Sequence, residues 1–204
     1  MLRLDCRSAG WRSPLVRLCI LVAFALVLSP QTSPKLESYD VAEAYEVYAA
    51  ILPSEWPWRD AHAKWLVIRQ TTTAYEMCVS PDAASAKVIG SAIADYIQQN
   101  RVPRALLRNF VIEKPYTLLS PAEERAAFQS SPGGWDGFYQ MYADSGGLTE
   151  LSAVGFNADK TIAVVYAGHS CGMLCGGGGF HVLQKKAGKW ENLTWEGSTC
   201  AWVS

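Results

Sequence analysis

Between Asp40 and Leu52, apolar side chains recur at Val41, Ala44, Tyr45, Tyr48, Ala49 and Leu52. That spacing lines one face of an α-helix. Asp40 followed by Glu43 resembles a capping box, Pro53 ends the run, and the tyrosines on the apolar face read as core. A Trp/Pro-rich turn follows at Trp56-Pro57-Trp58. Lys64 to Tyr75 is then rich in β-branched and aromatic residues and predicts a strand. Ser80-Pro81-Asp82 supplies an N-cap, a proline at the first helical position and an early acid. The helix it opens carries Val88, Ile89, Ala92, Ile93, Tyr96 and Ile97 on one face. Phe110 to Leu119 predicts another strand, which Pro115 places at an edge or breaks in two. Ser120-Pro121-Ala122-Glu123-Glu124 is a strong helix start, its acids set near the positive end of the helix dipole. A turn at Ser131 to Gly134 leads into a short helix, Trp135 to Tyr142, stopped by Gly146-Gly147.

From Thr149 the pattern becomes short apolar or alternating runs: Leu151 to Phe156, Thr161 to Ala167, Gly179 to Lys185 and Lys189 to Trp195. Turn signals at residues 157–160 and at Ala187-Gly188 separate them. Sequential strands on short connections pair antiparallel. The expected class is therefore α+β, with helices mainly in the N-terminal half and a C-terminal antiparallel meander.

The first thirty-odd residues differ from the rest. Arg3, Arg7, Arg12 and Arg17 precede an apolar stretch from Leu18 to Leu28, the order of a secretory signal. The stretch is short of the roughly 20 residues that span a bilayer. Residues 1–33 thus read as a signal peptide, with an uncleaved signal anchor as the second reading, and residues 35–204 as a single domain. Either way the expected destination is periplasmic or secreted.

From Gln31 onward, 14 Lys and Arg stand against 18 Asp and Glu, a net charge of −4, with no basic run beyond Lys185-Lys186. No basic stripe for nucleic acid is visible. The expected partner is an envelope protein or a small ligand, with the membrane reached only through an uncleaved anchor. Cys6 and Cys19 belong to the leader, leaving Cys78, Cys171, Cys175 and Cys200. Four cysteines in an exported domain point to two disulfides with three possible connectivities.

The segment from Val154 to Trp190, VGFNADKTIAVVYAGHSCGMLCGGGGFHVLQKKAGKW, is preceded by WDGFY at residues 135–139. It resembles a group of bacterial exported proteins known mainly as hypothetical proteins. The resemblance implies an envelope or secreted bacterial protein and carries no activity with it.

The chemistry-bearing stretch lies inside that segment. Gly168-His169-Ser170-Cys171-Gly172 fits Gly-x-Ser-x-Gly, the serine-hydrolase nucleophile elbow. That elbow turns directly into a helix, and a run of glycines forms none. No acid lies between Ser170 and His181, although His62 offers another chain order. His169, Cys171, Cys175 and His181 are of the right type and number for tetrahedral zinc, at a spacing unlike a standard knuckle. Cys171 with His169 or His181 would make an activated thiol. The structural reading accounts for more residues. A loop of about ten residues joins two strands, a Cys171–Cys175 bridge pins its tip, glycines supply positive φ, and Cys78–Cys200 ties the C-terminal tail. The leading expectation is a non-enzymatic binding domain without a cofactor. Its contact surface would be the pinned loop with Trp135, Tyr139 and Phe180. The alternative is a small envelope hydrolase or thiol enzyme using Ser170 or Cys171 with His169 or His181.

Overall fold

The computed structural model describes residues 36–52 and 63–204. The leader and the Trp56-Pro57-Trp58 turn lie outside the described residues. The chain is α+β, built on a mostly antiparallel sheet with its helices ahead of the C-terminal strands.

The strands of the main sheet run, edge to edge, β10 (Lys189–Asn192), β9 (Cys175–Lys186), β8 (Ile162–Gly172), β6 (Ser145–Leu151), β2 (Trp65–Arg69) and β5 (Tyr116–Leu119). The pairs β6·β8, β8·β9 and β9·β10 are antiparallel, as short connections require. The pairs β2·β5 and β2·β6 are parallel, because helical crossovers separate those strands in sequence. Two further pieces join the sheet. β7 (Gly155–Phe156) lies against β8, and β12 (Ala201–Val203) lies against β9. Two small ribbons complete the strands. β1 (Ser38–Tyr39) pairs with β4 (Ala105–Leu106), and β3 (Ser80–Pro81) pairs with β11 (Gly197–Ser198).

One face of the sheet is covered by α1 (Ala42–Ile51). Its buried Ala44, Tyr45, Val47, Tyr48 and Ile51 pack with Leu66, Ile68, Leu151, Val165, Ala167 and Leu183. The helix begins one residue later than Asp40 predicts: Val41 is the N-cap and no side chain caps it. Its two buried tyrosine hydroxyls, and that of Tyr39 in β1, are all satisfied, which burial demands. Tyr48 donates to Ser152 O at 2.7 Å and Tyr45 to Tyr39 O at 2.8 Å, while Tyr39 accepts from Val154 N at 2.9 Å.

Three helices share the opposite face. α2 (Ala83–Gln99) buries Ile89, Ala92 and Tyr96 against Val164, Tyr166, Phe180 and Val182. Its cap is Asp82, whose carboxylate accepts from Ser85 N at 2.7 Å. Ser80-Pro81 is instead the short strand β3, so Pro81 stands before the cap and not inside the helix. Val88 and Ile97 fall at the exposed margins of the predicted apolar face. α3 (Pro121–Gln129) has the full capping box between Ser120 and Glu123. With α4 (Gly134–Met141) it buries Ala127 and Phe138 against Val67, Leu119 and Leu148.

Two sequence expectations shift here. The strand predicted over Phe110–Leu119 begins only at Tyr116, where the proline ends, and it sits at the sheet edge. Gly146-Gly147 does not end a helix: both residues are inside β6.

Buried phenols set an alkaline limit on the fold. Burial raises Tyr39, Tyr45, Tyr48 and Tyr96 above the ordinary tyrosine value, and pushes Tyr166 up to about 12. Their protons are held more tightly in the folded than in the unfolded chain. The stability they contribute is therefore whole below about pH 10, the unfolded phenol value, and is lost as pH rises through the folded values. We expect the denaturant midpoint to fall steadily above pH 10. A midpoint that stays flat up to the Tyr166 value would contradict these assignments.

Candidate functional site

β8 and β9 form a long hairpin, and the Gly/Cys/His stretch occupies its distal end. Both strands run further than expected, β8 to Gly172 and β9 from Cys175. Only Met173 and Leu174 remain as the turn. The predicted loop of about ten residues is thus replaced by paired strand, because Gly176 to Gly179 take extended backbone and pair with Ala167 to Ser170 across the ladder. Cys171 and Cys175 are joined, with Cα atoms 5.0 Å apart, and Cys78 is joined to Cys200 at 5.8 Å. The disulfide closes the two-residue turn from Cys171, which lies within a register shift between Ser170 and Gly172.

Strand alternation decides where each candidate points, since successive side chains leave opposite faces. Ser170 shares a face with Tyr166 and with Leu148, its partner on β6. His169 lies on the other face, the side of Val165 and Ala167, and is only 2 % exposed. His181 is in register with Val165 and belongs to that second face too. Neither histidine therefore reaches the Ser170 side, and His62 lies outside the described residues. Cys171 and Cys175 have their sulfurs in a disulfide, so they offer neither a thiolate nucleophile nor thiolate ligands to zinc. Among the described residues no group of three or more His, Cys, Asp or Glu is arranged to hold a metal ion. The Ser170, Cys171, His169, Cys175 and His181 constellation is close in sequence and divided in space.

The glycines have a packing role. Gly168 and Gly178 face each other across β8 and β9, on the same side as Tyr166. A Cβ on Gly178 would collide with the Tyr166 hydroxyl and stand 2.7 Å from Trp202 Nε1. Without those methyl groups, the Tyr166 ring and the Trp202 indole lie against the sheet. Trp202 donates to the Tyr166 hydroxyl at 2.7 Å, and Tyr75 stacks on Tyr166 with centroids 4.3 Å apart and planes 5° from parallel. Burial raises the Tyr166 phenol while the Trp202 hydrogen bond works the other way. This layer of Tyr75, Tyr166 and Trp202 is how the C-terminal strand is seated. Tyr166 and Tyr75 were not among the sequence candidates. Their signal was the Gly168–Gly178 pair one side-chain step from Tyr166 and Phe180, legible only once β8 and β9 are known to pair.

Beside this layer sits a charged cluster. Arg69 Nε donates to Glu124 Oε2 at 2.9 Å, and its terminal nitrogens bond Glu124 Oε1 and Glu150 Oε1. The three side chains are only 21–25 % exposed and tie β2, β6 and α3 together. Arg69→Met would keep the aliphatic stem and leave two half-buried carboxylates facing one another. We expect a loss of about 2 kcal/mol, below the value for a fully buried pair because water still reaches the cluster. Equilibrium denaturation checks this, and adding Glu150→Gln should recover part of the loss.

The three predicted contact aromatics separate. Phe180 is 9 % exposed and belongs to the α2 core, so it is not surface. Trp135 and Tyr139 are half-buried on α4, and the Tyr139 hydroxyl donates to Cys171 O at 3.0 Å, bracing the pinned turn. The turn itself carries what the sequence reading passed over: Met173 is 91 % and Leu174 86 % exposed. On the opposite side, a groove of about 650 Å³ runs between α1 and the β9–β10 turn, past Tyr45, Val111 and Trp190. The carboxylate in that groove, Glu46, is already bonded to Lys185 and to the Trp190 indole. No family model matches this chain, and neither a curated protein nor a solved structure is significantly similar to it.

Proposed function

We propose that this chain is an exported bacterial binding domain, without catalysis, that makes contact through the disulfide-pinned end of its β8–β9 hairpin. The observation that carries the reading is the turn: two large apolar side chains, almost wholly exposed, held by Cys171–Cys175 and braced by Tyr139. Large apolar side chains presented on a fixed loop are the usual substance of a contact site. Trp135 flanks the turn through Tyr139, whose ring lies 5.9 Å from it. Two disulfides suit an oxidising compartment, and the Arg-rich apolar leader supplies the route there. The hydrolase and thiol readings lack support in the geometry, since Ser170 and the described histidines lie on opposite faces.

A photo-reactive residue at Leu174 tests this in the native envelope, with the same residue at Lys186, at the far end of β9, as the control. Crosslinks at 174 well above those at 186 are the expected result. Equal, background labelling at both positions would overturn the reading.

A further inference from the structure

The geometry points to the Met173–Leu174 turn as a bilayer-inserting tip, a lipid contact independent of the leader. The inference rests on the reading of this turn as the contact site and names what it contacts.

Turn chemistry is the first ground. Two-residue hairpins favour turns with positive φ, hence Asn, Asp or Gly. The turn at the other end of β9 takes the favoured conformation: Ala187 and Gly188 have φ of 47° and 79°, with glycine at the second position. Met173 and Leu174 do not take positive φ and belong to neither preferred residue class. A disulfide across the turn holds what the local sequence does not favour. Nor does packing explain the choice, because both side chains project into solvent. A local rule broken with no gain in the core points to function.

Charge is the second ground. From Thr161 to Gln184 the hairpin has no Asp, Glu, Lys or Arg, and neither does the segment Gly197–Ser204 beside it. Val203, two rungs from the disulfide and paired with Gly177, adds a third exposed apolar side chain. The backbone near the tip is occupied: Gly172 pairs with Cys175, and Ser204 N donates to Gly176 O at 3.1 Å. Recognition of a protein surface needs polar groups to fix register. This end offers apolar projection and little else, which is what the edge of a hydrocarbon phase accepts. The hairpin end and the tail carry no cation, and Lys64 just before β2 is paired with Asp144, so attraction to anionic headgroups plays little part.

The probe is phosphatidylcholine vesicles, and the protein is the full chain as isolated from the envelope. Met173→Ser with Leu174→Ser should lower vesicle partitioning at least tenfold, while adding phosphatidylglycerol or salt to the parent should change it little. A second readout removes any contribution from the apolar leader. With ¹³C-methyl methionine and nitroxide-labelled lipid in phosphatidylcholine bicelles, the Met173 resonance should broaden selectively, with Met77 and Met141 spared. No selective broadening at Met173 overturns the inference whatever the sedimentation shows. Crosslinking from position 174 to a protein and not to lipid would also overturn it while leaving the contact reading standing. Failure of both crosslinks would remove the two together.

Discussion

Gly147→Ala is expected to be among the most damaging single methyl additions in this protein, lowering stability by about 3 kcal/mol. Gly147 has φ of +101°, where an L side chain is strained, and its Cβ position lies against the register shift in β8. A Cβ there would overlap Ser170 O and stand 2.9 Å from Cys171 Cα, both backbone atoms that have no rotamer to change. Overpacking costs about 1–3 kcal/mol and positive φ in alanine about 1–2 kcal/mol more. For a chain of this size the sum corresponds to a fall of about 6–12 °C in Tm. Gly90→Ala is the matched control. Gly90 lies within α2 with nothing within 4 Å of its Cβ, so alanine there should stabilise by up to about 1 kcal/mol through helix propensity. Calorimetry on both variants checks the pair. A Gly147→Ala protein melting within about 2 °C of the parent would mean that β6 and β8 are not locked as described.

The second large effect belongs to the tail. Removing the Cys78–Cys200 bridge as a double alanine variant should cost about 3 kcal/mol and release β12. The bridge closes a sequence separation of 122, against 4 for Cys171–Cys175. In the chain-entropy account those closures differ, at about 5 and about 2 kcal/mol, and measured bridges usually deliver less than the full value. Beyond the bridge, β12 is held by three paired residues, the Ser204 N–Gly176 O bond and the Trp202–Tyr166 hydrogen bond. Release would bring Trp202 into water and uncover Gly177–Gly179, which lie outside the stretch of β9 paired by β10. The expected signature is a red-shifted tryptophan emission with faster amide exchange at those glycines. The Cys171–Cys175 double alanine variant should lose less stability and leave Trp202 emission unchanged. Equal losses, or an unshifted emission in the Cys78/Cys200 variant, would show that the tail is held by its own contacts.

Much of the architecture follows from periodicity that any reader of the chain can count. Tyr45 and Tyr48 on α1, Ile89, Ala92 and Tyr96 on α2, and the Ser120–Glu123 box all lie where local patterns put them. These depend on contacts three or four residues apart, so the sequence states them directly. The four late cysteines likewise restrict the pairing to three choices, and the bridges are the two that pin the turn and the tail. The parallel register of β2 with β5 and β6 is different. It joins residues about fifty and eighty positions apart, and no local signal encodes such a pairing.

The candidate site divides along the same line. Its chemical types were plain in the chain: a turn between two cysteines, flanking histidines, a serine and a run of glycines. Which of them meet was decided by strand alternation and cross-strand register. These put His169 and Ser170 on opposite faces and sent Phe180 into the core, and they laid Tyr166 and Trp202 over Gly178. The glycine run shows why. Four glycines read locally as a flexible loop, because glycine alone favours no regular structure. Once β8 and β12 flank them, the missing side chains become the space that two aromatic rings fill. The sequence by itself determined the helices, the Ser120–Glu123 cap and the stock of reactive groups, since these answer to near neighbours. Only the tertiary structure decided that the reactive groups are dispersed and that Met173 and Leu174 stand exposed, since those facts depend on residues that the chain brings together from far away.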